Sequence, residues 1–420
     1  MRIDKKMNNR DKEKNTKVGN VPNLRFPGFE GEWQCITLRD VTKLITKGTT
    51  PTKFVDQGIR FIKIECFVGD KIDEQKCLFI DEHTHNKELK RSALKENDLL
   101  FAIAGATIGK INIVHSAILP ANTNQALAII RLKDHEDSKF IYQILKSDSM
   151  KKYIRDRISV GAQPNLNLEQ MNDYSFFQPS LAEQQKIASI LSLLDTRIQT
   201  QNKIIEDLEL LKRTISNRIF EQKLRFRNNG AHEHTDWAIR DLGEVCEIVG
   251  GGTPETSKSE YWNGDIQWFT PTEIKTNYVD KSARTITALG LKSSSAKLLP
   301  VGTILLTTRA TVGEVAIALA ECSTNQGFQS LVVKEGTNNI FIFNWLKEHK
   351  HELVKRANGS TFPEVSKSEI EKIPISTPSL SEQVKIANCI SSIDDKIEIE
   401  RALLKKWEQQ KKILLKELFI

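Results

Sequence analysis

Gly105-Ala106-Thr107-Ile108-Gly109-Lys110 carries two glycines and a lysine, the residue types with which a loop can cradle a phosphate group. In such a loop backbone N–H groups surround the phosphate oxygens and the lysine balances their charge. The run is one residue short of that spacing, and Ile111 stands where a Ser or Thr would hold magnesium. Its second copy, Arg309-Ala310-Thr311-Val312-Gly313-Glu314, puts an acid in place of the lysine. Nucleotide binding is not expected at either copy. Cys66, Cys77, His83 and His85 are ligand types for zinc, but their spacing fits no zinc pattern and the second half of the chain has no counterpart. No metal site is expected. Glu273-Ile274-Lys275 has the acid and lysine of some nuclease sites, yet reads more simply as an exposed charge pair. No Asn/Asp-Pro-Pro-aromatic run of an amino-methyltransferase is present, nor H-E-x-x-H or G-x-S-x-G. The 420 residues carry no catalytic signature and point to a binding or scaffolding protein.

The elements that would position any site are duplicated. Pro179-Ser180-Leu181-Ala182-Glu183-Gln184-Gln185-Lys186-Ile187-Ala188 returns as Pro378-Ser379-Leu380-Ser381-Glu382-Gln383-Val384-Lys385-Ile386-Ala387. Other pairs keep the same order. They are Trp33, Leu38, Val41 with Trp237, Leu242, Val245, and Gly48-Thr49-Thr50-Pro51 with Gly252-Thr253-Pro254. Further on, Thr123-Asn124-Gln125 pairs with Thr324-Asn325-Gln326. The period is far too long for a solenoid, so it marks one globule plus one long helix, used twice. Between the shared anchors the halves differ freely, which suggests one framework carrying different loops toward two targets.

Within each globule, short apolar runs (Ile59–Ile64, Leu99–Ile103, Ile111–Val114) are separated by Gly, Asn, Asp and Thr clusters, as in a mixed α/β fold of short strands. Phe140–Arg157 and Phe341–Arg356 read as helices, followed by the breaks 160–164 and 358–363. Ser180 and Ser379 stand three residues before Glu183 and Glu382, the capping box that opens a helix. Apolar seams follow at Ile187, Leu191, Leu194 and Ile198, and at Ile386, Ile390, Ile393 and Ile397. Their 4-3 spacing is that of a coiled coil, interrupted at Gln201 and Glu400, which are expected to face the seam. The segments are a disordered basic tail (1–21), a first globule (22–180), a central helix (181–227), a second globule (228–379) and a C-terminal helix (380–420). Each helix would span roughly 60 Å at 1.5 Å per residue. An antiparallel pair brings the start of the second helix beside the end of the first, leaving the second globule to fill the gap. The expected fold is therefore α/β (α+β), with two similar globules on an antiparallel coiled-coil rod, a dumbbell with a pseudo-twofold axis.

The net charge of +7 does not by itself indicate nucleic acid, because residues 1–21 hold seven Lys and Arg against three acids. Residues 228–379 hold 15 against 18, so the second globule is formally acidic. Any basic face must come from how charges are distributed. No apolar run approaches a membrane span, no apolar N-terminal segment suggests a signal peptide, and the scattered cysteines suit a cytoplasmic protein.

Pro22-Asn23-Leu24-Arg25-Phe26-Pro27-Gly28-Phe29, the Gly-Thr-Pro entries and the twice-used P-S-L-x-E-Q-x-K-I-A helix starts resemble the specificity subunit of a type I restriction-modification enzyme, over residues 22–420. The resemblance implies two target-recognition domains, each reading half of a split double-stranded DNA site. It implies helices that set the spacing and hold two methyltransferase subunits, with restriction-translocase subunits joining that core. By the resemblance the chain is no enzyme, and S-adenosylmethionine, ATP and magnesium belong to its partners. Candidate DNA contacts lie in loops after the Gly-Thr turns, where small polar residues and lysines cluster. These are Lys47, Thr49, Thr50 and Lys53 in the first globule and Thr253, Ser257 and Lys258 in the second, with Lys63 and Arg309 as further candidates. A coiled-coil scaffold that binds only proteins is the alternative, separable by the salt dependence of duplex binding.

Overall fold

The computed structural model describes residues 19–157, 165–226, 236–309, 311–357 and 364–420. The tail up to residue 18 and the breaks at 160–164 and 358–363 lie outside the described residues. The chain divides into two compact units, residues up to 202 with 402–420, and residues 203–401. A stretch of each long helix therefore belongs to each unit.

In the first unit, Thr42–Lys47, Leu127–Leu132, Leu99–Ala102 and Ile111–Ile113 form an antiparallel sheet in that order. Successive residues of a strand point to opposite faces, and here both faces are covered. Leu99, Phe101, Ala128 and Ile130 face one core, with Phe140, Ile141 and Ile144 of the helix Ser138–Lys146. Leu100, Ala102, Leu127 and Ile129 face a second core containing Ile62, Cys66, Cys77 and Val114. This is why these strands read as unbroken apolar runs. A three-stranded sheet (Leu78–Ile80, Ile59–Ile62, Ala121–Thr123) lies beyond, and Gln34–Thr37 pairs with Ser175–Gln178 just before the first long helix.

The second unit repeats the plan with five strands, Cys246–Gly250, Gln329–Val333, Ile304–Leu306, Val315–Ala318 and Tyr278–Val279, beside a three-stranded sheet that includes Trp262–Phe269 and Cys322–Thr324. Ile304 and Leu306 face one core while Leu305 faces the other.

Several elements end or break where the sequence pattern does not show it. The strand expected at Ile59–Ile64 ends at Ile62, and a 3-10 turn at Ile64–Cys66 follows, held by the Cys66 N–H to Lys63 O bond. The helix expected over Phe140–Arg157 is two helices, Ser138–Lys146 and Asp148–Arg157, because Ser147 adopts an extended backbone between them. Asn339–Glu348 and Lys350–Arg356 repeat the break at His349.

The long helices run over Leu181–Phe220 and Leu380–Leu418. The first stops short of the expected 227. Gln222 takes a left-handed φ of 60°, and Leu224 N–H donates back to Arg218 O at 2.9 Å, turning the chain out of the helix. The helices pair antiparallel within each unit. In the first, Asp195 meets Lys411 and the Arg197 guanidinium lies 4.9 Å from the centre of the Trp407 ring. In the second, Lys212 bonds Asp394 and Arg401 bonds Glu209, each at 2.6 Å. Of the seam residues, Ile187, Leu191, Leu194, Ile386, Ile390 and Ile397 are buried, and Ile198 and Ile393 are half-buried. Ile187 and Leu191 pack into the core of the first globule together with Leu418, and Ile386 and Ile390 into that of the second with Ile219. Gln201 and Glu400 are buried despite their polarity, at 6% and 8% exposure, and Glu400 pairs with Lys396.

Candidate nucleic-acid interface

The duplicated motifs meet in space at one place on each unit. In Thr123-Asn124-Gln125 the Asn124 Oδ1 accepts the Ala126 N–H at 3.2 Å, and in Thr324-Asn325-Gln326 the Asn325 Oδ1 accepts the Gly327 N–H at 2.9 Å. This side-chain turn buries the Thr and leaves the Gln exposed at the tip. The Gly-Thr turn docks beside it. Thr49 N–H donates to Thr123 O at 3.0 Å, and Gly252 N–H to Thr324 O at 2.8 Å. The approach demands glycine, since a Cβ on Gly48 would lie 2.0 Å from Thr123 O and one on Gly251 2.0 Å from Asn325 O. Gly48 thus matches Gly251, and Thr50 matches Thr253. The two threonines then do the same thing. The Thr50 hydroxyl donates to Gln125 Oε1, and the Thr253 hydroxyl to Gln326 Oε1 at 2.5 Å.

The third motif is the Gly105–Gly109 run with its copy at Arg309, and the residues leading into each copy lie beside this turn. Ile103 N–H donates to Ala126 O at 3.0 Å and Thr308 N–H to Gly327 O at 2.8 Å. Gly105–Gly109 is the connection of a β-hairpin between Leu99–Ala102 and Ile111–Ile113, with positive φ at both glycines. No helix follows it, so it lacks the aligned N–H groups of a phosphate loop. Glu314, in the lysine's place in the second unit, pairs with Lys350 at 2.5 Å.

The remaining candidates fall at different distances from this edge. Lys47 is exposed at the end of the strand leading into the turn, and Thr49 Oγ1 accepts from Arg91 at 3.4 Å. Lys53 is exposed further along, and Lys63 is half-buried just after the strand that pairs with Thr123. Ser257 and Lys258 turn toward Glu255, at 2.8 and 3.3 Å, and the Lys258 ammonium also lies over the Tyr261 ring. Arg309 pairs with Glu364 at 2.6 Å. Glu273 is not half of a charge pair. One carboxylate oxygen accepts Thr270 N–H at 2.7 Å and the other Ala283 N–H at 2.6 Å, so it braces two loops. Among the described residues no group of three or more His, Cys, Asp and Glu is placed to hold a metal ion. Trp268 is buried and its Nε1 donates to Gly252 O at 2.9 Å, anchoring the turn in the second unit.

Away from this edge, each globule is braced where it meets the long helices. In the first unit Lys146 bonds Asp70 at 2.6 Å, beside the Asp195–Lys411 pair, and Gln143 donates to Asp195 at 2.8 Å. Burial and the nearby Lys411 push the Lys146 ammonium below its ordinary value, against the pull of Asp70. Burial also opposes the charge on Asp70, but Lys146 outweighs it and holds the carboxyl below the usual range. In the second unit Lys347 donates to Asn277 at 2.8 Å and Lys212 bonds Asp394, so an amide stands where the first unit has Asp70. Gln125, Gln326 and Arg91 were not among the sequence candidates. The Thr-Asn-Gln repeat itself was the signal for the two glutamines, and Arg91, which has no repeat partner by sequence, gave none.

The family model described as the type I restriction modification DNA specificity domain matches residues 30–210 and again 234–409. The type I restriction enzyme MjaIX specificity subunit of Methanocaldococcus jannaschii is 40% identical over 168 residues, 39% of this chain and 39% of that protein. The match to that relative therefore spans well under half of its length. The putative MjaX specificity subunit of the same organism is 26% identical over 96% of this chain and 94% of its own length. The crystal structure of the type I restriction-modification S subunit from M. genitalium superposes with a TM-score of 0.62 at 16% identity, over 95% of this chain and 99% of that one. A structure from a study of complex assembly and conformational transition of the type I R-M system gives a TM-score of 0.56 at 20% identity, covering 93% of this chain and 98% of that one. These two structures show the fold. With both halves matched by the family model, the chain belongs to the type I restriction-modification DNA specificity family.

Proposed function

We propose that this chain reads DNA for a type I restriction-modification assembly, each globule recognising one half of a two-part, asymmetric site. The observation that carries the reading is the twice-built edge. Two units place the same Gly-Thr turn, Thr-Asn-Gln turn and third-motif strand together, while the loops between these motifs differ. Phosphate contacts position such a reader and base-edge contacts specify, so a common frame with divergent loops suits two unlike half-sites. The long helices hold two methyltransferase subunits and set the unread spacer between half-sites, and restriction-translocase subunits join that core. Methyl donor, ATP and magnesium are bound by those partners, and the chain itself performs no chemistry.

Replacing residues 22–179 with the equivalent segment of a relative tests this. Methylated sites mapped genome-wide should change in one half and keep the other. A change in both halves at once, or in neither, overturns the reading. The purified chain with labelled methyl donor should show no turnover without partners.

A further inference from the structure

The two units differ in most loops yet share one side-chain pair. Thr50 with Gln125, and Thr253 with Gln326, join a turn to a turn in the same way, exposed, at the edge where the motifs meet. A group repeated in both halves of a reader of two different half-sites performs a task that is the same in both. The chemistry of the pair narrows that task. A glutamine reads adenine by using its oxygen and its nitrogen together, accepting from N6 and donating to N7. Here a threonine hydroxyl already donates to the amide oxygen. The bond orients the amide by its oxygen, and the Nε2 of each exposed glutamine has no acceptor among the described residues. The hydroxyl takes one of the amide oxygen's two lone pairs and ties that oxygen to the turn, which disfavours the joint use of oxygen and nitrogen on one base edge, while the Nε2 donor stays available to a partner that only accepts. A phosphodiester oxygen is such a partner and is the same at every sequence.

We propose that Gln125 and Gln326 are phosphate-positioning residues, each donating its Nε2–H to one backbone phosphate of its half-site, with Thr50 and Thr253 setting the amide orientation. In the first unit Arg91, within 3.4 Å of Thr49 Oγ1, supplies a cation beside the same spot. In the second unit Gly252 occupies the position of Thr49, and no such contact is made there. The proposal deepens the DNA-reading function and rests on it. The contact is the same whichever bases are read.

The test uses the full chain co-expressed with its methyltransferase partner, binding duplexes that do and do not contain the mapped site. Gln125→Ala should weaken both duplexes by a similar factor, about tenfold, as for a hydrogen bond to a charged group. The slope of affinity against salt should stay unchanged, because a neutral amide displaces no counterion. Scanning single methylphosphonates along the half-site should reveal one position that weakens wild type but adds nothing in Gln125→Ala, the signature of a shared contact. Gln326→Ala should behave alike in the other half. Thr50→Val, which keeps shape but removes the bond to Gln125, should give a smaller loss at the same phosphate. Both glutamines are exposed, so these variants leave the cores intact, and Gln125→Glu serves as a folded control that repels phosphate. A changed base preference in Gln125→Ala, full additivity at every phosphate, or unchanged affinity overturns the proposal. Wild-type binding with no preference for a two-part site would instead overturn the reading function, while the phosphonate scan still tests the pair.

Discussion

Arg25 and Glu183 stand at opposite ends of the first globule's sequence and meet through two hydrogen bonds, each 2.8 Å. The carboxylate is 1% exposed and the guanidinium 16%. Arg225 and Glu382 repeat the contact in the second unit, at 2.8 and 3.0 Å. In both, a planar fork ties the segment entering the globule to the first turn of the helix leaving it. The acids expected only to cap their helices therefore also close each globule on itself.

Removing one partner of such a pair strands a buried charge. Arg25→Ala is expected to destabilise the first unit by about 3 kcal/mol, and Arg225→Ala the second by a similar amount. Adding Glu183→Leu to Arg25→Ala should recover much of the loss, since the stranded charge is then gone. Two thermal transitions, followed by hydrogen exchange of amides in each unit, will show whether each loss stays in its own unit.

The pair also shows what the sequence disclosed. The P-S-L-x-E-Q starts, the long helices and the apolar strand runs were legible because each depends on spacing within a few residues. Leu24-Arg25-Phe26 returns as Leu224-Arg225-Phe226 in the same order as the other anchors, but three residues are too short a match to stand out. Its meaning appears only when glutamates 158 and 157 positions away arrive beside the arginines. Similarly, Thr50 and Thr253 were readable as turn residues, whereas their bonds to Gln125 and Gln326 depend on tertiary folding. The helix breaks at Ser147 and His349 were hidden because apolar periodicity continues through them.

Asp70 gives the first unit a pH dependence that Asn277 denies the second. Lys146 holds the folded-state value of Asp70 below its ordinary 3.8, so folding is favoured wherever the unfolded carboxyl would be charged. That contribution is complete above the ordinary value and is lost as pH falls through the lower folded one. Asp70→Asn should cost about 2 kcal/mol at pH 7, where Lys146 loses its partner, and the gap to wild type should close in acid below about pH 4. Denaturant titrations at stepped pH would show the two curves converging. Parallel curves would mean that the ion pair contributes nothing.

Gln201 and Glu400 interrupt the apolar seams at buried positions. Replacing a buried polar or paired charged group with a well-packed apolar one is often neutral or stabilising. Gln201→Leu and Glu400→Leu together should raise the melting temperature by a few degrees, equivalent to about 1 kcal/mol. A lower melting temperature would show that their polar contacts stabilise more than apolar packing at the seam.

In the second unit the end of the first long helix turns directly into Leu224, whose N–H donates to Arg218 O at 2.9 Å. In the first unit Leu24 N–H donates to Glu417 O, also at 2.9 Å, although almost the whole chain separates the two residues. The packing matches as well. Phe220 lies 5.7 Å from Phe341, and Phe419 lies 5.7 Å from Phe140. Ile219 and Leu418 are both fully buried, each in the core of its own globule. The last turn of the second long helix thus does for the first globule, without a covalent link, what the last turn of the first does for the second. Leu418→Ala should therefore cost the first unit about 3 kcal/mol, as a core truncation does, even though it sits far along the chain from that globule. Ile219→Ala should cost the second unit a similar amount. Joining Ile420 to Pro22 through a short flexible linker, with new ends opened between Gln222 and Lys223, should exchange the two arrangements and leave both units folded. The permuted chain's hydrogen-exchange pattern is the measurement. Protection lost around Leu24 or Leu418 would mean that the first unit's closure differs in kind from the second's, whereas retained protection there, with loosening confined to 220–224, is the expected result.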